Sequence, residues 1–272
     1  MAQLADTHTE YRPNFVSRAI ASVPPAFWAL AALLVLWELA VRIAEVPAFV
    51  LPPPSAIFEE IVSYGHRLAP NALVTLSEVL LGFLCSVAVG VPLAVMIVYS
   101  RFMEKAIYPL IVASQTIPKV AIAPLMLTWF GYGMAPKIVI VVMLSFFPIV
   151  INSVMGLKSA SREMIYLSRS MGASGWQTFW KFRLPQALPS IFAGLKLATA
   201  LSVIGAIVAE FIGADKGLGY LILIAGGNFD IARQFAAVVI ISLIGVLFFA
   251  ALERIERIAI PWKRSAEADD RH

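Results

Sequence analysis

Charge is what this chain has least of. Only 14% of its 272 residues are Asp, Glu, Lys or Arg, whereas 60% are hydrophobic and the mean hydropathy is +0.84. A water-soluble domain is about a quarter charged, so a soluble globular fold is excluded and an integral membrane protein is indicated. Cysteine is nearly absent as well: Cys85 stands alone in an apolar run, which rules out an internal disulfide and suits a small buried hydrophobe. The three histidines, His8, His66 and His272, are scattered, and no His, Cys or carboxylate cluster has metal-ligand spacing. No Gly-x-x-x-x-Gly-Lys-Ser/Thr segment cradles phosphates, so the chain has no nucleotide motor of its own. Nothing supports an enzyme, and no cofactor or metal is expected. The net charge of +4 requires no nucleic-acid partner, because Lys and Arg in cytoplasmic loops of a membrane protein generate it.

What the chain does have is long apolar runs. A spanning helix needs about 20 mostly apolar residues, and six segments qualify: 26–44, 72–99, 106–130, 136–156, 189–213 and 234–253. A membrane barrel would show alternating strands of about ten residues instead. The expected architecture is therefore an all-α membrane bundle of about six helices. Residues 1–25 read as a cytoplasmic tail without the short apolar core of a signal peptide, 45–71 as a periplasmic segment, 72–256 as the main bundle, and 257–272 as a second cytoplasmic tail. Counting basic residues with the N-terminal tail inside places 14 on that side and five on the other, with Lys119 and Lys196 within spans. That bias puts both termini in the cytoplasm. In the periplasmic segment, Leu51-Pro52-Pro53-Pro54-Ser55 stops any helix, and Ser55 is expected to cap a short amphipathic one.

One polar stretch interrupts this pattern. Residues 157–188 form a loop on the tail side, long enough between spans to suggest function. Ser161 has the place of an N-cap, Glu163 the charge favoured in a first turn, and Gly172 the place of a C-terminal stop. Ser174 and Gln177 have capping-box spacing for a second short helix carrying Trp176, Phe179, Trp180, Lys181, Phe182 and Arg183. Aromatic and basic residues mixed in this way suit the headgroup level. Leu184-Pro185 is expected to end that helix, with Pro189 in the first turn of the next span. The reading is a rigid knob facing the cytoplasm, though an ordinary amphipathic surface helix shares some of these marks.

The stretch Tyr166-Leu167-Ser168-Arg169-Ser170-Met171-Gly172, nine residues, then Phe182-Arg183-Leu184-Pro185 resembles the EAA loop of ABC-importer permeases. In that family Glu-Ala-Ala is followed by three residues, Gly, nine residues and Ile-x-Leu-Pro. Gly172, Leu184 and Pro185 fall in register; Tyr166, Leu167 and Ser168 replace Glu-Ala-Ala, and Phe182 replaces Ile. Other segments, Ile117-Pro118-Lys119-Val120-Ala121, Trp129-Phe130-Gly131-Tyr132-Gly133 and Gly217-Leu218-Gly219 among them, resemble the nitrate/sulfonate/taurine-type branch over residues 30–255. The resemblance implies a type I importer transmembrane domain whose loop docks on a separate ATPase. Partners would be two ATPase subunits that bind the ATP, a second permease copy, a periplasmic binding protein and membrane lipid, all at the bacterial inner membrane. Glu163, Tyr166, Leu167, Ser168, Arg169, Gly172, Leu184 and Pro185 would form the coupling loop, with Arg169 or Glu163 standing in for the family glutamate.

Further candidates come from polarity inside the spans. Gln115, Thr116 and Lys119, in a segment (115–124) that also carries Pro118 and Pro124, are too polar for a lipid-facing surface and suggest a cavity or a subunit-facing surface. Gly194, Ala198, Ser202 and Ala206 form a slanting small-residue stripe; it fits the pore or dimer axis, or packing within the subunit. Glu38, Glu78 and Glu210 lie toward outer helix ends, and Lys196 toward an inner end where its side chain can snorkel. Glu210, Gly217 and Gly219 are placed to touch the binding protein. The alternative class is a secondary transporter or channel driven by an ion gradient. Such proteins carry inverted repeats and mid-membrane relays, and neither is evident here.

Overall fold

The computed structural model describes residues 25–262, all of its regular structure helical. Residues 1–24 of the first expected tail and 263–272 of the second lie outside the described residues, while 257–259, expected in the second tail, end the last long helix. Helix α1 is Pro25–Ile43, α2 Pro54–Ser63, α3 Gly65–Tyr99, α4 Tyr108–Ala113, α5 Lys119–Phe130 and α6 Met134–Lys158. Helix α7 is Arg162–Ser170, α8 Gly175–Thr178, α9 Leu184–Gly213, α10 Leu218–Gly227 and α11 Ile231–Ala259. Among the described residues, five helical stretches are long and apolar enough to cross a membrane, and a sixth is a bent pair.

That bent pair departs from the expected straight span over 106–130. Residues 103–116 and 119–130 meet at 100°. The cause is local: Pro118 has no N–H to give, and a residue before proline is driven out of the helical region. Ile117 accordingly sits at φ −73°, ψ 128°.

A second departure lies at Leu184-Pro185, where a helix stop is expected. Phe179–Arg183 forms a single wide π turn that runs directly into α9, so residues 175–213 make one continuous helix. The wider turn shifts the bonding pattern ahead of Pro185, whose missing N–H then leaves no break. The same device recurs at Met103–Ile107, a π turn that feeds α4 with Pro109 as its second residue. Pro189 lies inside α9 rather than at its start.

Helices α3, α6 and α9 form the centre, with α6 packed along both of the others. Glycines set this close approach. A Cβ on Gly205 would lie 2.9 Å from the Val141 Cα, and one on Gly194 would lie 2.7 Å from the Pro148 carbonyl. Four apolar clusters make up the core of the described residues, two of them larger than the others. Of these two, one joins Leu68, Val79, Val141, Leu218 and Ile241; the other joins Phe83, Ile149, Leu157, Phe192 and Leu252. Cys85 belongs to none of the four; it is exposed on α3 rather than buried. Helix α1 stays at the periphery, with only Val41 buried, so most of its apolar surface is left for lipid.

Candidate functional site

The polar insert is a built object. Ser161 Oγ accepts from the Met164 N–H at 3.2 Å and so caps α7, whose first turn carries Glu163. Gly172 follows at φ +80°, a left-handed conformation that costs glycine nothing. There the Gly172 and Ala173 N–H groups bond the carbonyls of Arg169 (2.9 Å) and Ser168 (3.0 Å). The reciprocal capping box of Ser174 and Gln177 then opens α8. The two short helices are pinned together where Ser168 Oγ lies 3.2 Å from Thr178 Oγ1, both side chains buried. Ser168 is therefore an internal clamp, turned away from any partner.

What α7 shows outward is apolar. Tyr166 is 66% exposed, Leu167 63% and Met171 77%. Leu167 and Met171, four residues apart, form one ridge. Glu163 and Arg169 are exposed beside it, and Leu184 and Pro185 are half-buried at the base of the insert. Beneath the insert, Trp176 stacks on Phe179, Trp180 meets both rings edge-on, and Phe179 reaches Tyr99 at the end of α3. The Arg183 guanidinium lies 5.2 Å over the Tyr99 ring. A Glu104–Lys158 ion pair ties the first π turn to the end of α6.

The bend at Ile117-Pro118 brings Gln115 and Lys119 together, with Lys119 Nζ 3.4 Å from the Gln115 carbonyl and 4.4 Å from the Phe147 ring centre. Both residues are accessible. The small-residue stripe is placed differently. Ala198, Ser202 and Ala206 are 0% exposed, and Gly194 abuts Pro148 and Asn152 of α6. The stripe serves packing within the subunit and lines no open face. Lys196 does not snorkel; its ammonium pairs with Glu256 of α11.

At the opposite end of the bundle a buried polar network corrects another expectation. Glu210 is 1% exposed and cannot touch a docking protein. Its carboxylate accepts from Thr75 Oγ1 at 2.6 Å and from the Gly219 N–H at 2.5 Å. The Gly217 N–H donates to Asn71 Oδ1 at 2.7 Å, and the Leu218 N–H to Thr75 Oγ1 at 2.9 Å. Gly217 and Gly219 are buried too, and a Cβ on Gly217, at φ +119°, would strike the Glu210 carboxylate. Next to this knot, Lys137 Nζ donates to Glu78 Oε1 at 2.7 Å, with the two side chains 8% and 0% exposed. The charge count assigns Lys137 to the external loops, but it sits in the first turn of α6. A lone acid in one span and a lone base at the mouth of another are the only signal the sequence carries for such a pair. Ser55 is no cap either. Helix α2 begins at Pro54, and Ser55 donates through N–H and hydroxyl to Glu38 at 3.0 and 2.8 Å.

A polar, self-capped insert lies between α6 and α9, carried by a helical bundle with one broken helix. Residues 86–261 match the family of binding-protein-dependent transport system inner membrane components. The chain is 40% identical to the formylaminopyrimidine transport permease protein of Halalkalibacterium halodurans over 233 residues, 85% of this chain and 93% of that one. It is 37% identical to the riboflavin transport system permease protein of Chloroflexus aurantiacus over 236 residues, 86% and 88% of the two chains. Against the taurine transport system permease protein of Escherichia coli, identity is 28% over 240 residues, 86% and 87%. This chain belongs to that family of inner-membrane components: it is the permease subunit of an ABC importer, not an enzyme, and works with an ATPase and a binding protein.

Proposed function

We propose that the insert over 157–188 is the cytoplasmic lever on which the ATPase acts, in a permease that pairs with a second copy of itself in the lipid bilayer. The supporting observation is the outward ridge of Tyr166, Leu167 and Met171 on a helix fixed at both ends. Large apolar side chains standing free on a polar insert call for a protein partner. Caps at both ends let a push on α7 reach α9 through the Ser168–Thr178 clamp and the continuous helix over 175–213. Glu163 and Arg169 flank the ridge and supply polar contacts to the same partner. The excess of basic residues on the insert's side supports a cytoplasmic position for it and for both termini.

The solute is small and arrives from the binding protein. Gln115 and Lys119, at the break between α4 and α5, line its path. The names of the relatives point to a ring compound, formylaminopyrimidine or riboflavin, or to a sulfonate such as taurine. The lever is tested by Leu167→Asp, which places a charge in the middle of the ridge. Co-purification of the ATPase with the permease should fall at least tenfold while the permease still inserts. Undiminished recovery of the ATPase sinks the proposal.

A further inference from the structure

Two acids and one base meet inside the bundle at the end away from the insert. Glu78 on α3 and Glu210 on α9 are 0% and 1% exposed, and their carboxyls lie within hydrogen-bond reach of each other. Lys137 on α6 donates to Glu78 Oε1 at 2.7 Å. The four carboxyl oxygens are not served alike. Glu210 Oε1 accepts from the Thr75 hydroxyl and Oε2 from the Gly219 N–H. Glu78 Oε2 accepts from no N–H or hydroxyl among the described residues, and the Glu210 carboxyl lies against that acid. Other charges near this end are engaged elsewhere or stand in the loop. Arg233 on α11 is held by Glu60 and Asp230, Asp215 and Lys216 belong to the loop after α9, and α10 carries no charge. With both acids ionised, two negative charges would face one ammonium. Two carboxylates sharing a site do not both ionise, and unbalanced charge inside a membrane bundle is costly.

We infer that Glu78 and Glu210 hold one proton between them, lying between Glu78 Oε2 and the Glu210 carboxyl, and that this bound proton fastens the loop over 214–219 to α3 and α9. One proton makes the cluster neutral, with a single negative charge spread over the two acids and one ammonium beside it. It also gives Glu78 Oε2 a role, as one end of a short charge-assisted hydrogen bond. Glu210 is then free to accept from the Gly219 N–H and to orient Thr75, whose Oγ1 takes the Leu218 N–H at 2.9 Å. The Gly217 N–H is held by Asn71, also on α3, at 2.7 Å. Three consecutive N–H groups of the loop therefore hang on the acid pair and the helix face next to it. Loss of the proton sets two carboxylates against each other under those three bonds and loosens them together. Lys137 also lines a cavity of about 470 Å³ with Tyr132, Gly213 and Asp215, which gives water, and so the proton, a route to the cluster.

The test uses the permease–ATPase complex in a maltoside detergent, which carries no ester carbonyl, followed by infrared spectroscopy as the pH rises from neutral into the alkaline range. A protonated carboxyl has a C=O stretch apart from the amide bands, and the wild type should show one at neutral pH. The band should be absent from Glu78→Gln, whose amide mimics the neutral acid, and unchanged in Glu104→Gln, which alters an exposed acid. As the band is lost, amide exchange over residues 217–221, expressed as protection factors, should quicken at least tenfold in the wild type. Glu78→Gln should show no such step. No band in the wild type at neutral pH, or the full band in Glu78→Gln, overturns the inference. A band lost with exchange unchanged overturns the proton's hold on the loop. Should Glu78→Gln fail to co-purify with the ATPase, Thr75→Val decides. It takes a donor from the anionic form, so the proton should be kept to a higher pH than in the wild type; loss of the band at the wild-type pH overturns the inference.

Discussion

The buried Glu78–Lys137 pair offers the clearest energetic consequence of this architecture. Lys137→Met removes the ammonium that sits 2.7 Å from Glu78 Oε1, where the acid is fully enclosed. The Glu210 carboxyl lies against the same acid, and Lys137 is the cation beside it, so the lysine supplies the charge that compensates Glu78. Breaking such a pair by removing one partner costs about 3–5 kcal/mol, because the other charge stays buried and uncompensated. At about 2–4 °C per kcal/mol for a domain of this size, the melting midpoint should drop on the order of 10 °C. Removing both charges, in Glu78→Leu with Lys137→Met, should return most of that loss, since an apolar pair of similar volume is often neutral. The assay is thermal unfolding of the purified permease–ATPase complex in one detergent, read by tryptophan fluorescence, for wild type, both single variants and the double variant. Equal stability of Lys137→Met and wild type would refute the buried pair. A double variant no better than the worse single one would refute the pairing logic.

Gly172→Val should insert normally yet uncouple ATP hydrolysis from uptake. No described atom lies within 4 Å of the added Cβ, so the penalty is backbone strain alone, about 1–2 kcal/mol at φ +80°; normal uptake counts against the corner. Gly194→Leu should prevent a stable bundle, because even a Cβ there lies 2.7 Å from the Pro148 carbonyl and from Asn152 Cβ; gel filtration would show aggregation, and a monodisperse peak would contradict the close approach of α6 and α9. Thr75→Val should cost about 1–3 kcal/mol by stranding the Leu218 N–H and one Glu210 oxygen. Faster amide hydrogen exchange over residues 217–221 would report it, and unchanged exchange would mean that Thr75 holds nothing.

The caps of the insert are legible in the amino-acid order because they are local. Ser161, Gly172 and the Ser174–Gln177 box act within four residues, and short-range rules cover that distance. The general class is equally plain from apolar runs and scarce charge. Contacts between distant segments are not. Glu78 meets Lys137 across 59 residues and Thr75 meets Glu210 across 135, and no periodicity in one sequence announces such partners. Glu210 therefore reads as an exposed docking acid when it is the anchor of its own loop. The small stripe on α9 points to close packing without saying against what, and α6 is the answer for Gly194. Proline reasoning misses both ways: the run over 106–130 reads as one span although Pro118 breaks it, and Pro185 breaks nothing, because a preceding π turn absorbs the missing bond and nothing in Phe179–Arg183 advertises one.

The insert's position in water on the ATPase side is the central claim, and sidedness measures it directly. Leu167→Cys, 63% exposed at the crest of α7, in a Cys85→Ser background should resist a membrane-impermeant maleimide in intact cells. In inside-out vesicles it should react rapidly, and bound ATPase should protect it. Rapid labelling from outside intact cells would place the ridge where no ATPase can reach it.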